Sequence, residues 1–119
     1  MPSASRSLKY AQWVKSPQEK PERPGRTLAT KNPEVIKTWA EKRKAQPSTI
    51  AGTEHGKHLG VLRFDFPGYS TSRRLEHVEW DRWLDTFKSR DLTFIFQEQK
   101  KDGAQSNVFQ LDNPKREDG

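Results

Sequence analysis

The sequence predicts an α+β fold: two helices packed on one face of a small antiparallel sheet, in the order α-β-β-α-β-β, behind a disordered N-terminal arm. Three observations carry that expectation. Val61-Leu62-Arg63-Phe64-Asp65-Phe66-Pro67-Gly68-Tyr69 alternates apolar and polar residues and stops at a Pro-Gly turn, the pattern of a half-buried strand. Two other stretches place apolar residues at i, i+3, i+4 and i+7, the spacing of one helix face. The first 31 residues hold four prolines and few apolar side chains, a composition that suits a solvated linker.

Taken in order, Asn32-Pro33-Glu34 opens the first helix. Asn caps, Pro fits the first helical position, and Glu is favoured at the positive end of the helix dipole. Ile36, Trp39, Ala40 and Arg43 form the stripe, Arg43 through its aliphatic stem. This helix is expected to run to Ala45, with Pro47 as its stop. Residues 48–53 read as a short strand and 54–60 as a Gly/His/Lys loop, so that 61–66 completes a hairpin. A polar loop follows at 70–74. Trp80, Trp83, Leu84 and Phe87 mark the second helix, with Asp81, Arg82, Asp85 and Lys88 on its wet side. Leu92-Thr93-Phe94-Ile95-Phe96-Gln97-Glu98 is a second alternating strand, expected to wall the core with 61–66. Lys100-Lys101-Asp102-Gly103 is a turn with a strong Asp-Gly signal, and residues 106–111 return as the last strand. Trp39, Trp80, Trp83, Phe64, Phe66, Phe94, Phe96 and Phe109 are the expected aromatic core. The domains are therefore an arm at 1–31, an α+β domain at 32–112 and a disordered tail at 113–119.

The charge is unevenly placed. The chain has 119 residues and a net charge of +6. Residues 1–31 hold seven Lys/Arg against two acids, whereas residues 32–113 hold thirteen against twelve. The basic character thus belongs to the N-terminal arm. The chain contains no cysteine, which excludes disulfides, Cys zinc sites and cysteine nucleophiles and is compatible with the cytoplasm, the compartment expected. No apolar run approaches the roughly 18–20 residues of a membrane span, and the first residues lack the apolar core of a secretory signal. Their Arg, Lys and Ser content resembles an organelle transit peptide, but the Pro-rich continuation does not.

One apolar island interrupts the arm: Leu8, Tyr10, Trp13 and Val14. It reads either as a turn of structure resting on the domain or as a short motif that orders on a partner, anchored by Tyr10 and Trp13. Arg6, Lys9, Lys15, Arg23 and Arg26 surround it. Cations interleaved with aromatics suit a polyanion, since cations meet phosphates and aromatic rings stack on bases. The function expected is a non-enzymatic interaction module whose arm binds nucleic acid without sequence specificity. The alternative is a protein–protein adaptor or subunit that docks through residues 7–15 and the domain surface around Arg63 and Asp65. The partner is then nucleic acid or an acidic protein surface, with no membrane involved. Arg63 and Asp65, two residues apart on the polar face of the central strand, form a possible surface site or simply a salt-bridged sheet face.

Signs of chemistry are sparse. His55 and His58 stand three apart beside Glu54, but a metal site needs a third ligand and a rigid presentation, so the stretch reads as a solvated loop. No phosphate loop, nucleophile elbow or Ser/His/Asp arrangement can be assembled. No catalytic residue, metal or cofactor is expected. The alternating Phe residues have the parity to lie under the helices, which leaves them unable to stack bases.

Three blocks carry a family resemblance. Residues 35–41 (Val-Ile-Lys-Thr-Trp-Ala-Glu) with 47–53 form the first, 61–69 the second, and 78–87 running on to 92–98 the third. Together they resemble a family of small bacterial proteins of unknown function that often carry a glucan-branching-enzyme label. Leu-Arg-Phe-Asp-Phe-Pro-Gly and the Trp80-Asp81 helix start are the most specific parts. The resemblance spans about residues 32–112, leaves out the arm, and departs after the first helix, where Lys44-Ala45-Gln46 replaces a Gly-Gly turn. It implies the fold and no activity. A branching enzyme needs a large barrel with paired carboxylates at its strand ends, which this length cannot supply.

Overall fold

The computed structural model describes residues 10–54, 58–68 and 74–113. Its elements are β1 (Gln12–Trp13), β2 (Leu28–Thr30), α1 (Pro33–Lys42), β3 (Gln46–Ile50), β4 (Leu62–Asp65), β5 (Leu75–His77), α2 (Trp80–Ser89), β6 (Thr93–Phe96) and β7 (Phe109–Asp112). The fold is mixed α+β, as expected, with two helices among the described elements. It has two small sheets instead of one, in the orders β1-β2-β6-β7 and β4-β3-β5. The two alternating strands expected to wall a single core, β4 and β6, therefore belong to different sheets. The described residues fall into two compact units, one drawn from Met1–Trp39 and Asp91–Gly119, the other from Ala40–Arg90.

In the first unit, β2 pairs in parallel with β1 and antiparallel with β6. Leu28, Ala29 and Thr30 are all buried. Within the stretch expected as a disordered arm, Gln12–Trp13 and Leu28–Thr30 are built into a sheet. Composition misled because three strand residues lie between Arg26 and Lys31 and are too few to show a period. The first part of the arm, residues 1–9, and the tail at 114–119 lie outside the described residues. Trp39, fully buried, meets Phe94, Phe96 and Phe109 edge-on at centroid distances of 5.3, 6.2 and 5.9 Å. Its indole N–H donates to the Gln97 carbonyl at 2.9 Å, so the largest apolar group buries no unpaired donor. The Asp-Gly turn expected at 100–103 is present. Gly103 takes φ 89°, and Lys100 N–H donates to Ala104 O at 2.7 Å.

Helix α1 starts as its sequence requires: the Asn32 side-chain oxygen accepts the Glu34 N–H at 2.8 Å. It ends at Lys42, three residues before the expected end. Ala45 N–H reaches back to Ala40 O and Lys44 N–H to Glu41 O, the paired bonds of a Schellman C-cap. Lys44 occupies the left-handed position with φ 57°.

In the second unit, Pro47 does not act as a helix stop but sits inside β3, the central strand. Its place is understandable from the ladder. Ile50 N–H donates to Val61 O, beside β4. By alternation, residue 48 faces β4 as well, while 47 and 49 face β5. Pro47 lies beyond the last β5 pair, where only an acceptor is needed, and its carbonyl accepts the Val78 N–H at 2.9 Å. The missing donor therefore falls where the ladder has already ended. Strand β5 was not expected at all, being three residues long with two of them charged or titratable. Phe64 stacks on Trp83 at 4.9 Å, Trp83 on Phe87 at 5.9 Å, and the Trp83 indole N–H donates to Arg63 O at 3.1 Å. Phe66 and Trp80 are half-buried at the margin of this cluster.

Two substitutions test this description. Lys44→Gly removes the cost of a left-handed side chain, offset partly by the freer unfolded chain, and should stabilise the protein by about 0.5–1 kcal/mol in thermal denaturation. Gly60 is buried, and a Cβ there would fall inside the Thr53 side chain. The Arg90 guanidinium also holds the Leu59 and Gly60 carbonyls, leaving these two residues little room to yield. Gly60→Ala should lower stability by about 2 kcal/mol, read from the urea midpoint.

Candidate nucleic-acid interface

Within the apolar island of the arm, Gln12–Trp13 form the outer strand of the first sheet. Gln12 N–H donates to Thr27 O and Val14 N–H to Ala29 O, both at 2.9 Å. In a parallel strand, alternate residues turn their amide groups to the same side, so the N–H and C=O of Trp13 face away from β2. Val14 is buried at 4% exposure and anchors the strand. Thr30 Oγ1 donates to Val14 O at 2.7 Å, and the Asn32 side-chain amide donates to Lys15 O at 2.7 Å. The segment is held from several directions, yet Tyr10 and Trp13 stay 67% and 47% exposed. A large ring left in water on a firmly held strand is available to a ligand without an ordering cost.

The loop that follows is latched to the same strand. The Gln12 side chain donates to Lys20 O at 3.1 Å and accepts the Glu22 N–H at 2.9 Å. Glu19 accepts the Lys15 N–H at 3.0 Å. Gly25, with φ 82°, donates to Gln99 O, while its carbonyl accepts from the Gln97 side chain at 3.2 Å. A Cβ at Gly25 would come within 2.8 Å of Lys101 Cγ. The loop is thus pinned at both ends, with Lys20 and Arg23 exposed on it.

The expected contact residues separate into distinct roles. Trp13 on β1, Tyr10 just before it, and Lys15 and Arg23 after it are exposed. Arg26 is turned inward: it donates to Tyr10 O at 2.6 Å and to Glu22 Oε1 at 3.2 Å, with only 20% of its side chain exposed. It supports the strand and is not offered to a ligand. Arg23 lies 3.9 Å from the same Glu22 carboxylate, and both are largely exposed, so water screens that pair. Arg6 and Lys9 lie outside the described residues. Sequence reasoning passed over Gln12 as the latch and Lys20 as the cation it positions. No periodicity marks a glutamine whose partners lie eight and ten residues on. Lys31 is committed elsewhere, bonded to Asp91 Oδ1 at 3.0 Å and to two backbone carbonyls.

The second unit holds the other candidates. Arg63 is exposed on β4. Asp65 does not reach for Arg63; its carboxylate meets His77 Nε2 at 2.8 Å, with both groups partly exposed. Within the loop 52–54, the Glu54 carboxyl is held below its usual value, first by its own backbone N–H and then by that of Gly52. His55 lies outside the described residues. Among the described residues, no cluster of three or more His, Asp or Glu side chains is placed to hold a metal ion, and no helix is long and apolar enough to cross a membrane. Arg43, central to the Lys42-Arg43-Lys44 cluster, is buried at 5% exposure.

Comparisons with protein-family models, with curated proteins and with solved structures return no match.

The latch yields a direct expectation. Gln12→Ala removes both side-chain bonds to the loop, so the Glu22 amide should exchange with solvent at least tenfold faster. The Val14 amide, bonded to β2, should be little changed. Hydrogen exchange followed by NMR measures both.

Proposed function

We propose that this protein is a non-enzymatic binding module and that its N-terminal strand and loop take a polyanion, nucleic acid bound without sequence preference. The observation that carries the reading is the exposure of Trp13 on β1, with Tyr10 just before it and Lys15, Lys20 and Arg23 after it, in a segment whose strand and loop are hydrogen-bonded in place. Phosphate contacts by exposed cations bring affinity and salt dependence and carry no sequence information. Exposed rings add stacking that accepts any base. The two acids of the segment are engaged locally, Glu19 with a backbone N–H and Glu22 with Arg26, which leaves the Lys15 and Lys20 ammonium groups without an ion pair among the described residues.

Removing residues 1–31 is not a usable test, since it would strip the buried strand β2 from the sheet. The charges themselves are exposed and can be changed. The triple variant Lys15→Glu, Lys20→Glu, Arg23→Glu should keep its thermal stability and bind a mixed-sequence oligonucleotide at least tenfold more weakly at 50 mM salt. For the native protein, log K should fall linearly with log salt, and shuffling the oligonucleotide should change little. Salt-independent binding that the triple variant retains would sink the reading.

One observation favours a second reading. The outward N–H and C=O of Trp13 on an edge strand can also accept an added strand from a protein, with the exposed face around Arg63 as a further contact. Such docking depends on the Trp13 side chain and backbone and little on salt, in contrast to the polyanion reading.

A further inference from the structure

We infer that the nucleic acid accepted by this segment is single-stranded, a short run of unpaired nucleotides lying along β1. The inference rests on the binding role proposed above and specifies its ligand. Three features point the same way. The first is ring exposure: Trp13 stands out from β1 at 47%, and Tyr10, two residues before the strand begins, is 67% exposed. In a duplex each base face is covered by its neighbours, and a ring reaches one only by wedging a step apart, which bends the DNA and needs a wide wrapped surface to offset the unstacking. An unpaired base offers its face at no such cost.

The second feature is the backbone. The Trp13 N–H and C=O turn away from β2, leaving one donor and one acceptor beside the exposed indole. Unpaired bases present the matching edge, whereas in a duplex that Watson–Crick edge is already occupied. The third is the layout of charge. Lys15 follows Trp13 by two residues, just past the end of β1, and is exposed like it. Lys20 and Arg23 are fixed beside β1 by the two Gln12 hydrogen bonds. Three cations in one short segment match the single phosphate track of one strand; gripping a duplex takes contacts to two.

The test uses the full-length protein with fluorescein-labelled (dT)15 and with a 15-base-pair mixed-sequence duplex, followed by fluorescence anisotropy between 50 and 200 mM KCl. The single strand should bind at least tenfold more tightly than the duplex. At about −0.7 per phosphate, three cations give a log–log salt slope of about −2. Trp13→Ala should weaken the single strand about fivefold or more, as expected for losing one stacked base, and leave the duplex unchanged. Trp13→Phe, which keeps a ring on the strand, should retain most of the affinity and so separates stacking from folding. If the duplex binds as tightly as the single strand and ignores both Trp13 variants, this inference fails while the polyanion reading survives. If neither ligand binds, both fail together.

Discussion

Strand β2 is the element that the first unit depends on. It is only three residues long, but it has sheet partners on both sides, and all three of its side chains are buried. A buried strand must hydrogen-bond its amide groups on both edges or bear a cost of about 1–3 kcal/mol for each group left unpaired. Strand β6 supplies one edge. The other can come only from residues 12–14, and this requirement draws a polar, proline-rich segment onto the sheet. Burying Leu28 adds about 2–3 kcal/mol, and the Thr30 hydroxyl, buried as well, finds its acceptor in Val14 O. The exposure of Tyr10 and Trp13 follows from that same constraint: the strand is held by its backbone and by Val14, so the large rings are not needed for the core.

The second unit solves the corresponding problem with different means. β3 has neighbours on both sides although it contains a proline, and it succeeds because the proline lies where the β5 ladder has run out. Trp83 plays there the part that Trp39 plays in the first unit. Each is fully buried among aromatic rings, and each has its indole N–H on a backbone carbonyl. The polarity of the chain as a whole is compatible with folding because its few aromatic residues are concentrated around these two groups.

Much of this was legible in the sequence. Both helices could be placed from their stripes and from the Asn-Pro-Glu start, and β4, β6 and the Asp-Gly turn from alternation and turn chemistry. Phe64, Phe94 and Phe96 were legible as core residues from parity alone. Strands of two or three residues were not, since β1, β2 and β5 are shorter than any period that could announce them, and their pairing is decided by partners far away in the chain. For the same reason one sheet was expected where two exist, as alternation identifies a strand but not its neighbour. Of the candidate interface, the residue types at 10, 13, 15 and 23 were evident. That Arg26 serves the strand, that Gln12 latches the loop and that Asp65 belongs with His77 depends on contacts eight to sixteen residues apart, which no local pattern encodes.

The order of the chain has a consequence for how the molecule is made. The first unit is interrupted, with its early strands separated from β6 and β7 by the whole of Ala40–Arg90. During synthesis β2 emerges more than sixty residues before Phe94, Ile95 and Phe96, the residues it pairs with. Contacts between Ala40 and Arg90 can form while later residues are still being added, but those of the first sheet cannot close until residues 93–112 have been made. Leu28, Val14 and Trp13 thus spend that interval without their sheet. The polar, charged and proline-rich surroundings of these residues keep such a waiting segment from associating with other nascent chains.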